Sequence, residues 1–201
     1  TVIGAGNIGS AVAQIALKAG ASVQVLTRDA AKAAAVSPQV SAGTIGEPVL
    51  GDIVVLALPY PAFGAVLAAY AAGLPGKVVV DPSNPINFST GDIVIDPVGS
   101  SAAAELAEKL AGAKVLKAFN TNFAATLASG TTGGVTTAVL VAGDDADAKS
   151  ALSSVVTGGG LRVIDAGPLK RAHELEAIGA VQIGLAVTGQ TPWTGGFAIV
   201  E

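Results

Sequence analysis

The chain has 201 residues, of which 51% are hydrophobic and only 13% are charged, and its formal net charge at pH 7 is −4. This length and this apolar content predict a single domain with a sizeable core. The small number of Lys and Arg residues argues against a nucleic-acid or anionic-membrane partner. The absence of Cys excludes disulfides, thiolate metal ligands and a Cys nucleophile.

The first nine residues, Thr1-Val-Ile-Gly-Ala-Gly-Asn-Ile-Gly9, have an apolar strand pattern that runs directly into a G-x-G-x-x-G motif. A helical pattern follows and ends at Gly20. A strand, a glycine turn and a helix in this order are typical of a dinucleotide-binding unit. In such a unit Gly4 allows the tight turn, Gly6 lets the backbone approach the pyrophosphate, and Gly9 lets the helix pack closely on the strand.

The second predicted strand, Ser22–Leu26, ends in Thr27-Arg28-Asp29. In NAD-binding units an acidic residue about 20 residues beyond the glycines accepts hydrogen bonds from the ribose. A hydroxyl group followed by a guanidinium group instead suits the 2′-phosphate of NADP, and Lys32 supplies another cation one helical turn later. Asp29 is available to bind the ribose, but we expect it to cap the next helix. This segment therefore favours NADPH over NADH.

Five further strands are predicted, at Asp52–Leu58, Lys77–Asp81, Lys114–Phe119, Thr137–Ala142 and Leu161–Asp165. Helical patterns separate most of them, and a long helical pattern runs from 166 to about 187. This alternation predicts an α/β fold, a doubly wound Rossmann-like parallel sheet with a C-terminal helical segment. We expect residues 1–201 to form one NADP-binding domain. Gly179 and Gly184 predict close packing of the last helix against another helix or subunit.

The stretch Ile53–Gly76 has no charged residue and is long enough to span a bilayer. Because Pro59, Pro61 and Pro75 interrupt it, a buried strand followed by a packed helix explains it better. We therefore expect no membrane insertion. No signal-peptide pattern is present, which favours a cytoplasmic protein. Since the sequence starts at a strand rather than at Met, we expect residues to precede Thr1 in the full protein.

Ligands of open α/β sheets lie outside the carboxyl ends of the strands. Tyr60 and Phe63 follow the third long strand and are candidates to border the cofactor, although Phe63 suits a core position equally well. Asn84 lies in Pro82-Ser83-Asn84-Pro85, a loop that two prolines make stiff. It is a candidate for the nicotinamide ribose, or a turn residue without a function.

Side chains that could move a proton are few. A dehydrogenase of alcohols needs such a group, but the single His, His173, is predicted to occupy a solvated helix position. Asp144, Asp145 and Asp147 resemble a metal cluster, but at the start of a helix they more simply satisfy free N–H groups. We therefore expect no metal site and no catalytic side chain.

One reaction needs no protein acid or base, namely hydride transfer from the nicotinamide to a flavin or deazaflavin ring. The protein must then hold two rings together and exclude water. Such an acceptor requires an apolar slot, an aromatic wall and a few amides. The candidates for these acceptor-binding positions are Pro85, Asn120, Asn122, Trp193 and Phe197.

Taken together, these motifs resemble the NADPH:coenzyme F420 oxidoreductase family. The resemblance runs almost from end to end and is carried by Gly4–Gly9, Thr27-Arg28 with Lys32, Leu58-Pro59-Tyr60, Ser100–Glu105, Gly143–Asp145 and Asp165–Leu169. It implies hydride transfer between NADP(H) and coenzyme F420. It implies that Asn7 and Ile8 contact the pyrophosphate, and that Thr27, Arg28 and Lys32 hold the 2′-phosphate. The full set of expected cofactor-binding residues is Gly4, Ala5, Gly6, Asn7, Ile8, Thr27, Arg28, Lys32, Leu58, Pro59, Tyr60 and Asn84.

The resemblance also implies a homodimer built partly from the C-terminal segment, 166–201, which would contribute to the acceptor site as well. One position departs from the family. Its archaeal members carry His beside the deazaflavin where this chain has Asn120, and the Phe119-Asn120 pair is more similar to the reductase domain of the STEAP metalloreductases. The resemblance as a whole makes a deazaflavin the first expected acceptor. The Phe119-Asn120 pair makes FAD, FMN or riboflavin, with ferric reductase-like activity, the second. Two further alternatives are a non-catalytic NADPH-sensing module and the reduction of a small carbonyl or imine without a protein acid.

Overall fold

The structure, a computed structural model, describes residues 1–87, 90, 92–95 and 100–200. Glu201, the last residue of the predicted C-terminal segment, lies outside this part. The strands in chain order are β1 Val2–Ile3, β2 Gln24–Thr27, β3 Ser41–Thr44, β4 Ile53–Leu56, β5 Val78–Asp81, β6 Lys114–Ala118, β7 Thr131–Thr132, β8 Val135–Thr136, β9 Ala138–Gly143 and β10 Arg162–Gly167. The α-helices are α1 Asn7–Lys18, α2 Ala30–Ala34, α3 Phe63–Tyr70, α4 Ala102–Lys109, α5 Ala124–Ser129, α6 Ala146–Gly158 and α7 Ala172–Val187. Short 3-10 helices cover Tyr60–Ala62, Ala71–Gly73 and Leu169–Arg171.

Within the described residues, eight of the strands form one sheet in the order β10-β9-β6-β5-β4-β1-β2-β3, and β7 pairs with β8 in a small hairpin. The chain builds the sheet outward in one direction through β2 and β3, and in the other direction from β4 onward. The strand order therefore reverses between β1 and β4. The prediction of a doubly wound, Rossmann-like sheet with a C-terminal helix is confirmed. In such a sheet the crevice at the reversal point is where ligands bind.

The sequence predicted a parallel sheet, but one strand pair in the structure is antiparallel. Strands β1 to β6 pair in parallel, but β9 runs antiparallel to β6, with Lys117 opposite Ala142, and β10 runs parallel to β9. The connection from β6 to β9 contains only the six-residue helix α5 and the β7–β8 hairpin. At 1.5 Å per residue α5 is about 9 Å long, whereas the five residues of β6 span about 16 Å. The helix therefore does not return along the whole strand, and β9 starts at the edge where β6 ends.

The central strands are buried on both faces, and β2 and β5 have no half-exposed residue. One apolar cluster lies on the side of α1 and α6, and a second lies on the side of α3 and α4. The uncharged stretch Ile53–Gly76 divides into β4, α3 and two 3-10 turns, which confirms the prediction of a strand followed by a helix. No helix in the described part of the chain is long and apolar enough to cross a membrane.

The C-terminal helix begins later than expected. Strand β10 continues to Gly167, whose φ of +101° suits glycine, and α7 starts only at Ala172 after a 3-10 turn. Gly179 packs against the side chain of Asn84, not against a helix, and Gly184 has open space beside it. His173 is half-buried and its Nδ1 lies 3.1 Å from the carbonyl oxygen of Ser100, so its position is less solvated than predicted.

Candidate functional site

The glycine turn at the end of β1 has the conformation that the motif predicts. Gly4 has a φ of +107°, and a side chain there would collide with the carbonyl oxygen of Ala57. A side chain at Gly9 would collide with the carbonyl oxygen of Gly4. Gly6 differs, because no atom lies within 4 Å of the place where its Cβ would be. The packing of the protein thus requires Gly4 and Gly9, whereas Gly6 leaves space open above the turn.

This turn leaves the N-terminus of α1 open. Helix α1 has 12 residues, its N-cap is Gly6, and its first turn has no acidic residue; among the described residues no side chain caps it. Free N–H groups and the helix dipole make such an N-terminus a site for anions. Asn7 is exposed and Ile8 is half-buried at this end. The arrangement therefore suits the pyrophosphate of a dinucleotide.

A cavity of about 320 Å³ extends from the turn to the tip of β2. Its wall consists of Gly4, Ala5, Gly6, Thr27, Arg28, Asp29, Lys32, Ile45, Ala57, Leu58 and Pro59. It brings together every cofactor-binding residue predicted for the glycine turn and the β2 tip except Asn7 and Ile8, which lie on its other side. Sequence reasoning missed Ile45 and Ala57, because neither has a polar group that would mark it.

At the β2 tip one charged residue is engaged in the structure and two are available to a ligand. The Asp29 carboxylate accepts a hydrogen bond from the amide of Ala31 at 3.0 Å, which confirms its predicted role as a helix cap. The Thr27 hydroxyl is buried and accepts a hydrogen bond from the Asp29 amide at 3.1 Å, so it is already engaged within the turn. Arg28 and Lys32 are exposed and have no ion-pair partner in the described part of the chain. These two cations are the groups available to a phosphate.

Tyr60 faces away from this cavity. Its hydroxyl donates a hydrogen bond to Glu105 Oε2 at 2.7 Å, in a small hollow beside α4. Burial, followed by the hydrogen bond to the Glu105 carboxylate, raises the pKa of Tyr60 to about 12. Phe63 lies in the core, which was one of its two predicted roles. Leu58 and Pro59 line the 320 Å³ cavity, and Tyr60 as a cofactor contact stays a prediction.

A second cavity, of about 470 Å³, lies on the other side of the glycine turn. Its wall consists of Asn7, Ile8, Pro82, Asn84, Phe119, Asn120, Asn122, Phe123, Ala124, Ala125, Ile183 and Trp193. Among these residues no side chain titrates near neutral pH. The cavity brings Asn84, Asn120, Asn122 and Trp193 together, as predicted. Two predicted acceptor-binding residues, Pro85 and Phe197, lie outside this wall. Pro85 is buried, and the backbone amide of Phe197 donates a hydrogen bond to Gln182 Oε1 at 2.8 Å.

The amides in this second cavity are held in defined orientations. Asn120 Nδ2 donates to Asn84 Oδ1 at 2.9 Å and to the carbonyl oxygen of Leu175 at 2.8 Å. Asn122 Nδ2 donates to the carbonyl oxygen of Ala138 at 3.0 Å. Backbone carbonyls only accept hydrogen bonds, so each amide nitrogen is fixed. The Oδ1 atoms of Asn120 and Asn122 are buried and have no hydrogen-bond partner among the described residues.

An aromatic pair closes one side of this cavity. The ring centroids of Phe123 and Trp193 lie 4.9 Å apart at an angle of 52°. Trp193 is 51% exposed. An amphipathic ring at the mouth of a cavity suits contact with a flat ligand.

Beneath the two asparagines lies a buried charge cluster that the sequence analysis did not identify. Lys117 Nζ lies 2.9 Å from Asp81 Oδ2 and 2.7 Å from Glu176 Oε1, and all three side chains are almost inaccessible to solvent. Burial is the main cause that raises the pKa of Glu176. The available signal was Lys117 itself, a charged residue between the apolar residues Leu116 and Ala118 of a central strand. We name Asp81, Lys117 and Glu176 the buried triad.

The fold, the glycine turn and the two adjoining cavities define the class of dinucleotide-binding Rossmann proteins, and the unpaired cations at the β2 tip fit a phosphorylated adenosine ribose. Comparison with known proteins narrows this class. Residues 1–85 match the family described as NADP oxidoreductase, coenzyme F420-dependent. The chain belongs to this family of oxidoreductases.

Individual relatives agree with this assignment. The F420-dependent NADP reductase of Methanocaldococcus jannaschii is 30% identical over 149 residues, which cover 72% of this chain and 66% of that protein. Metalloreductase STEAP3 of Rattus norvegicus is 29% identical over 179 residues, which cover 88% of this chain and 35% of that protein. The chain thus spans slightly less than two thirds of the former and about a third of the latter. A crystal structure from Arthrobacter sp. FB24, described provisionally as an F420-dependent NADP reductase, has a TM-score of 0.81 at 27% identity, covering 100% of this chain and 98% of that one.

Proposed function

We propose that this chain binds NADPH across the glycine turn and transfers a hydride from it to a deazaflavin of the coenzyme F420 type. The observation that carries the proposal is that the two cavities lie on either side of one turn. Gly4, Ala5 and Gly6 line the first, and the next two residues, Asn7 and Ile8, line the second. A dinucleotide whose pyrophosphate lies on the N-terminus of α1 would place its adenosine half in the first cavity and its nicotinamide half in the second.

The residues present fit this cofactor. The space above Gly6 is open, the N-terminus of α1 has no side-chain cap, and Arg28 and Lys32 are exposed at the β2 tip. Arg28 would hold the 2′-phosphate with paired N–H groups, and Lys32 would add a point charge. Asn84 would bind the nicotinamide ribose. When bound, NADPH supplies the hydride from C4 of its nicotinamide.

The second cavity fits a second flat ring. Its wall combines apolar surface, the Phe123–Trp193 pair and asparagines whose Oδ1 atoms lack a partner. The pyrimidine edge of a deazaflavin has an N–H group between two carbonyl groups. This N–H would bond to Oδ1 of Asn120 or Asn122 once that side chain turns toward the cavity, because both oxygens are buried in the present structure. The described wall contributes no acid or base, and hydride transfer between two rings requires only that they be held together without water. Any proton that the reduced ring takes up would come from solvent.

A flavin is the second candidate acceptor. Two observations support a flavin. The chain is 29% identical to Metalloreductase STEAP3 over 88% of its length, and it has Asn120 where the archaeal F420 enzymes carry His. FAD, FMN and riboflavin have the same pyrimidine edge as a deazaflavin, so the contacts described here would accept either ring. Ferric reductase-like activity would follow from the reduced flavin.

We also propose a homodimer. Helix α7 exposes three apolar side chains, since Ile178, Val181 and Val187 are 37%, 57% and 62% exposed. Exposed apolar side chains grouped on one helix are typical of a protein–protein contact, and we propose a second copy of the chain as the partner. Replacing Val181 with Arg should then convert a dimer into a monomer in sedimentation experiments. A wild-type monomer at micromolar concentration would contradict the proposal. A cytoplasmic location stays a prediction from the sequence.

The proposed activity is tested by anaerobic incubation with NADPH and, separately, with coenzyme F420, FAD, FMN and riboflavin, following the absorbance of the nicotinamide. Fast oxidation with F420 supports the first proposal, and fast oxidation with a flavin alone supports the second. Tight binding of NADPH without oxidation by any of these acceptors would contradict both and leave the NADPH-sensing module.

A further inference from the structure

The buried triad holds the loop that carries Asn84. Lys117 and Asp81 are register partners on β6 and β5, so their side chains leave the sheet on the same face. The Lys117 ammonium contacts Asp81 Oδ2, Glu176 Oε1 and, at 2.6 Å, the carbonyl oxygen of Ser83. The ammonium group donates hydrogen bonds to Asp81 Oδ2 and to the Ser83 carbonyl oxygen. Glu176 Oε1 lies within ion-pair distance but has no hydrogen-bond partner among the described residues. Solvent has no part in this arrangement, because Lys117 is fully buried.

Ser83 is held from both sides. Its amide donates to Asp81 Oδ1 at 2.8 Å, and its carbonyl oxygen accepts from Lys117. Asn84 follows directly, and its amide pairs with Asn120, which lies three residues after Lys117. The loop therefore has two anchors that both originate from the end of β6. A shift of Lys117 would move Asn84 relative to Asn120.

The third member brings in the C-terminal helix. Glu176 Oε2 accepts a hydrogen bond from the amide of Ala102 at 3.2 Å, at the start of α4. One turn later on α7, Gly179 packs on Asn84. The triad thus fixes the sheet, α4 and α7 around the same loop.

Buried ion clusters are a weak source of stability. Removing charges from water is so costly that apolar residues of similar volume often stabilise a protein as well or better. A cluster of three buried charges therefore calls for a role other than stability. Lys117 does not line either cavity, which excludes direct contact with a ligand there.

We infer that Lys117 is a positioning residue, which fixes Ser83 and thereby places the Asn84 amide against the nicotinamide half of NADPH. The inference rests on the proposed function, because it assumes that the nicotinamide lies in the cavity of Asn84 and Asn120. It assigns no contact with the adenosine half, which lies on the other side of the glycine turn. A variant of Lys117 should therefore affect the two halves of the cofactor differently.

The test is the double variant Lys117→Met/Asp81→Asn, with Lys109→Met, an exposed lysine, as the control. The double variant removes one positive and one negative charge, and the remaining Glu176 carboxyl can take up a proton. Dissociation constants are measured for NADPH and for 2′,5′-ADP, which contains only the adenosine half. Stereospecificity of hydride transfer is measured with NADPH deuterated on either face of C4.

We expect the double variant to bind NADPH about tenfold more weakly, to bind 2′,5′-ADP within twofold of wild type, and to lose part of its stereospecificity. Equal losses for both ligands, or no change for either in a folded variant, would overturn the inference. Asp81→Asn alone, which keeps an oxygen for the Ser83 amide, gives the same comparison should the double variant not fold, with a loss of about threefold expected for NADPH only. A wild-type protein that does not bind NADPH would instead overturn the proposed function and the inference with it.

Discussion

The side chains of Asn84 and Asn120 are paired at the centre of the candidate site. Asn120 Nδ2 donates to Asn84 Oδ1 at 2.9 Å, and Asn84 Nδ2 donates to the carbonyl oxygen of Asn120 at 2.8 Å. The pair joins the end of β5 to the end of β6, which are distant in sequence. Gly179 of α7 lies directly against Asn84 and leaves no space for a side chain. The position of the Asn84 amide is therefore sensitive to small changes around it.

Replacing Gly179 with Ala should disturb this pair. The added methyl group would collide with the Asn84 amide, and overpacking of this kind costs about 1–3 kcal/mol in unfolding free energy. We expect NADPH to bind more weakly, whereas 2′,5′-ADP should bind as before. Gly184→Ala on the same helix is the control, because open space surrounds that position. If Gly179→Ala is destabilised but its affinity for NADPH is unchanged, Asn84 has no part in binding the cofactor.

Gly6→Ala tests whether the turn binds a pyrophosphate. The protein has open space at this position, and the φ of −74° suits alanine, so the unfolding free energy should not fall. The methyl group would instead occupy the place of the cofactor, and we expect a loss of NADPH affinity of about 1–3 kcal/mol because a tight contact becomes overpacked. Gly64→Ala, on an exposed and open side of α3, is the matched control. Calorimetric titration with NADPH measures the affinity. A wild-type affinity in Gly6→Ala would exclude the glycine turn as the pyrophosphate site.

Arg28→Ala should distinguish the two nicotinamide cofactors. Loss of a charge-assisted contact with the 2′-phosphate should weaken NADPH binding by about 1.5–3 kcal/mol and barely affect NADH. Lys32→Ala should have the same direction and a smaller effect, because Lys acts as a point charge without paired N–H groups. Dissociation constants for both cofactors are measured at one ionic strength. An equal loss for NADPH and NADH would refute the assignment of Arg28.

The unpartnered oxygens of Asn120 and Asn122 predict a preference for acceptors with an N–H group. We expect 3-methyllumiflavin, which lacks the N3–H group, to be reduced about tenfold less efficiently than lumiflavin, because a buried oxygen would be left without a donor. In Asn122→Ala the difference between the two flavins should shrink if Asn122 is the acceptor. Steady-state rates with both flavins provide the measurement, and equal rates with wild type would contradict the predicted contact.

Glu176 should give the unfolding free energy a characteristic pH dependence. Burial raises its pKa in the folded protein above the ordinary value of 4.5. The folded state therefore binds the proton more tightly, and the resulting stability is fully present below pH 4.5 and is lost as pH rises through the folded pKa. Glu176→Gln should remove this loss, so its stability relative to wild type should increase from acid to neutral pH. Glu174→Gln is the control, because a backbone hydrogen bond and then Arg171 lower the pKa of this exposed carboxylate, so its contribution to stability has the opposite pH dependence.

Much of this site could be predicted from local sequence. The glycine turn, the β2 tip and the strand ends that bear Asn84 and Asn120 each depend on residues close together in the chain. The reversal of β9 could not be predicted, because it depends on how the connection after β6 divides into a short helix and a hairpin. The buried triad could not be predicted either, since it joins Asp81, Lys117 and Glu176 from three separate elements. The orientation of Tyr60 toward Glu105 is likewise a tertiary contact, although the residue follows a strand end.

The central claim is that the nicotinamide and a second ring are held together beside Asn84 and Asn120. The most direct measurement uses NADPH deuterated at one face of C4, coenzyme F420 as the acceptor, and mass spectrometry of the reduced product. We predict that one deuterium moves to C5 of the deazaflavin from one labelled face only, and that no hydrogen at C5 comes from solvent. Hydrogen from solvent at C5, or NADPH that is not oxidised by F420 or by any flavin, would contradict the account.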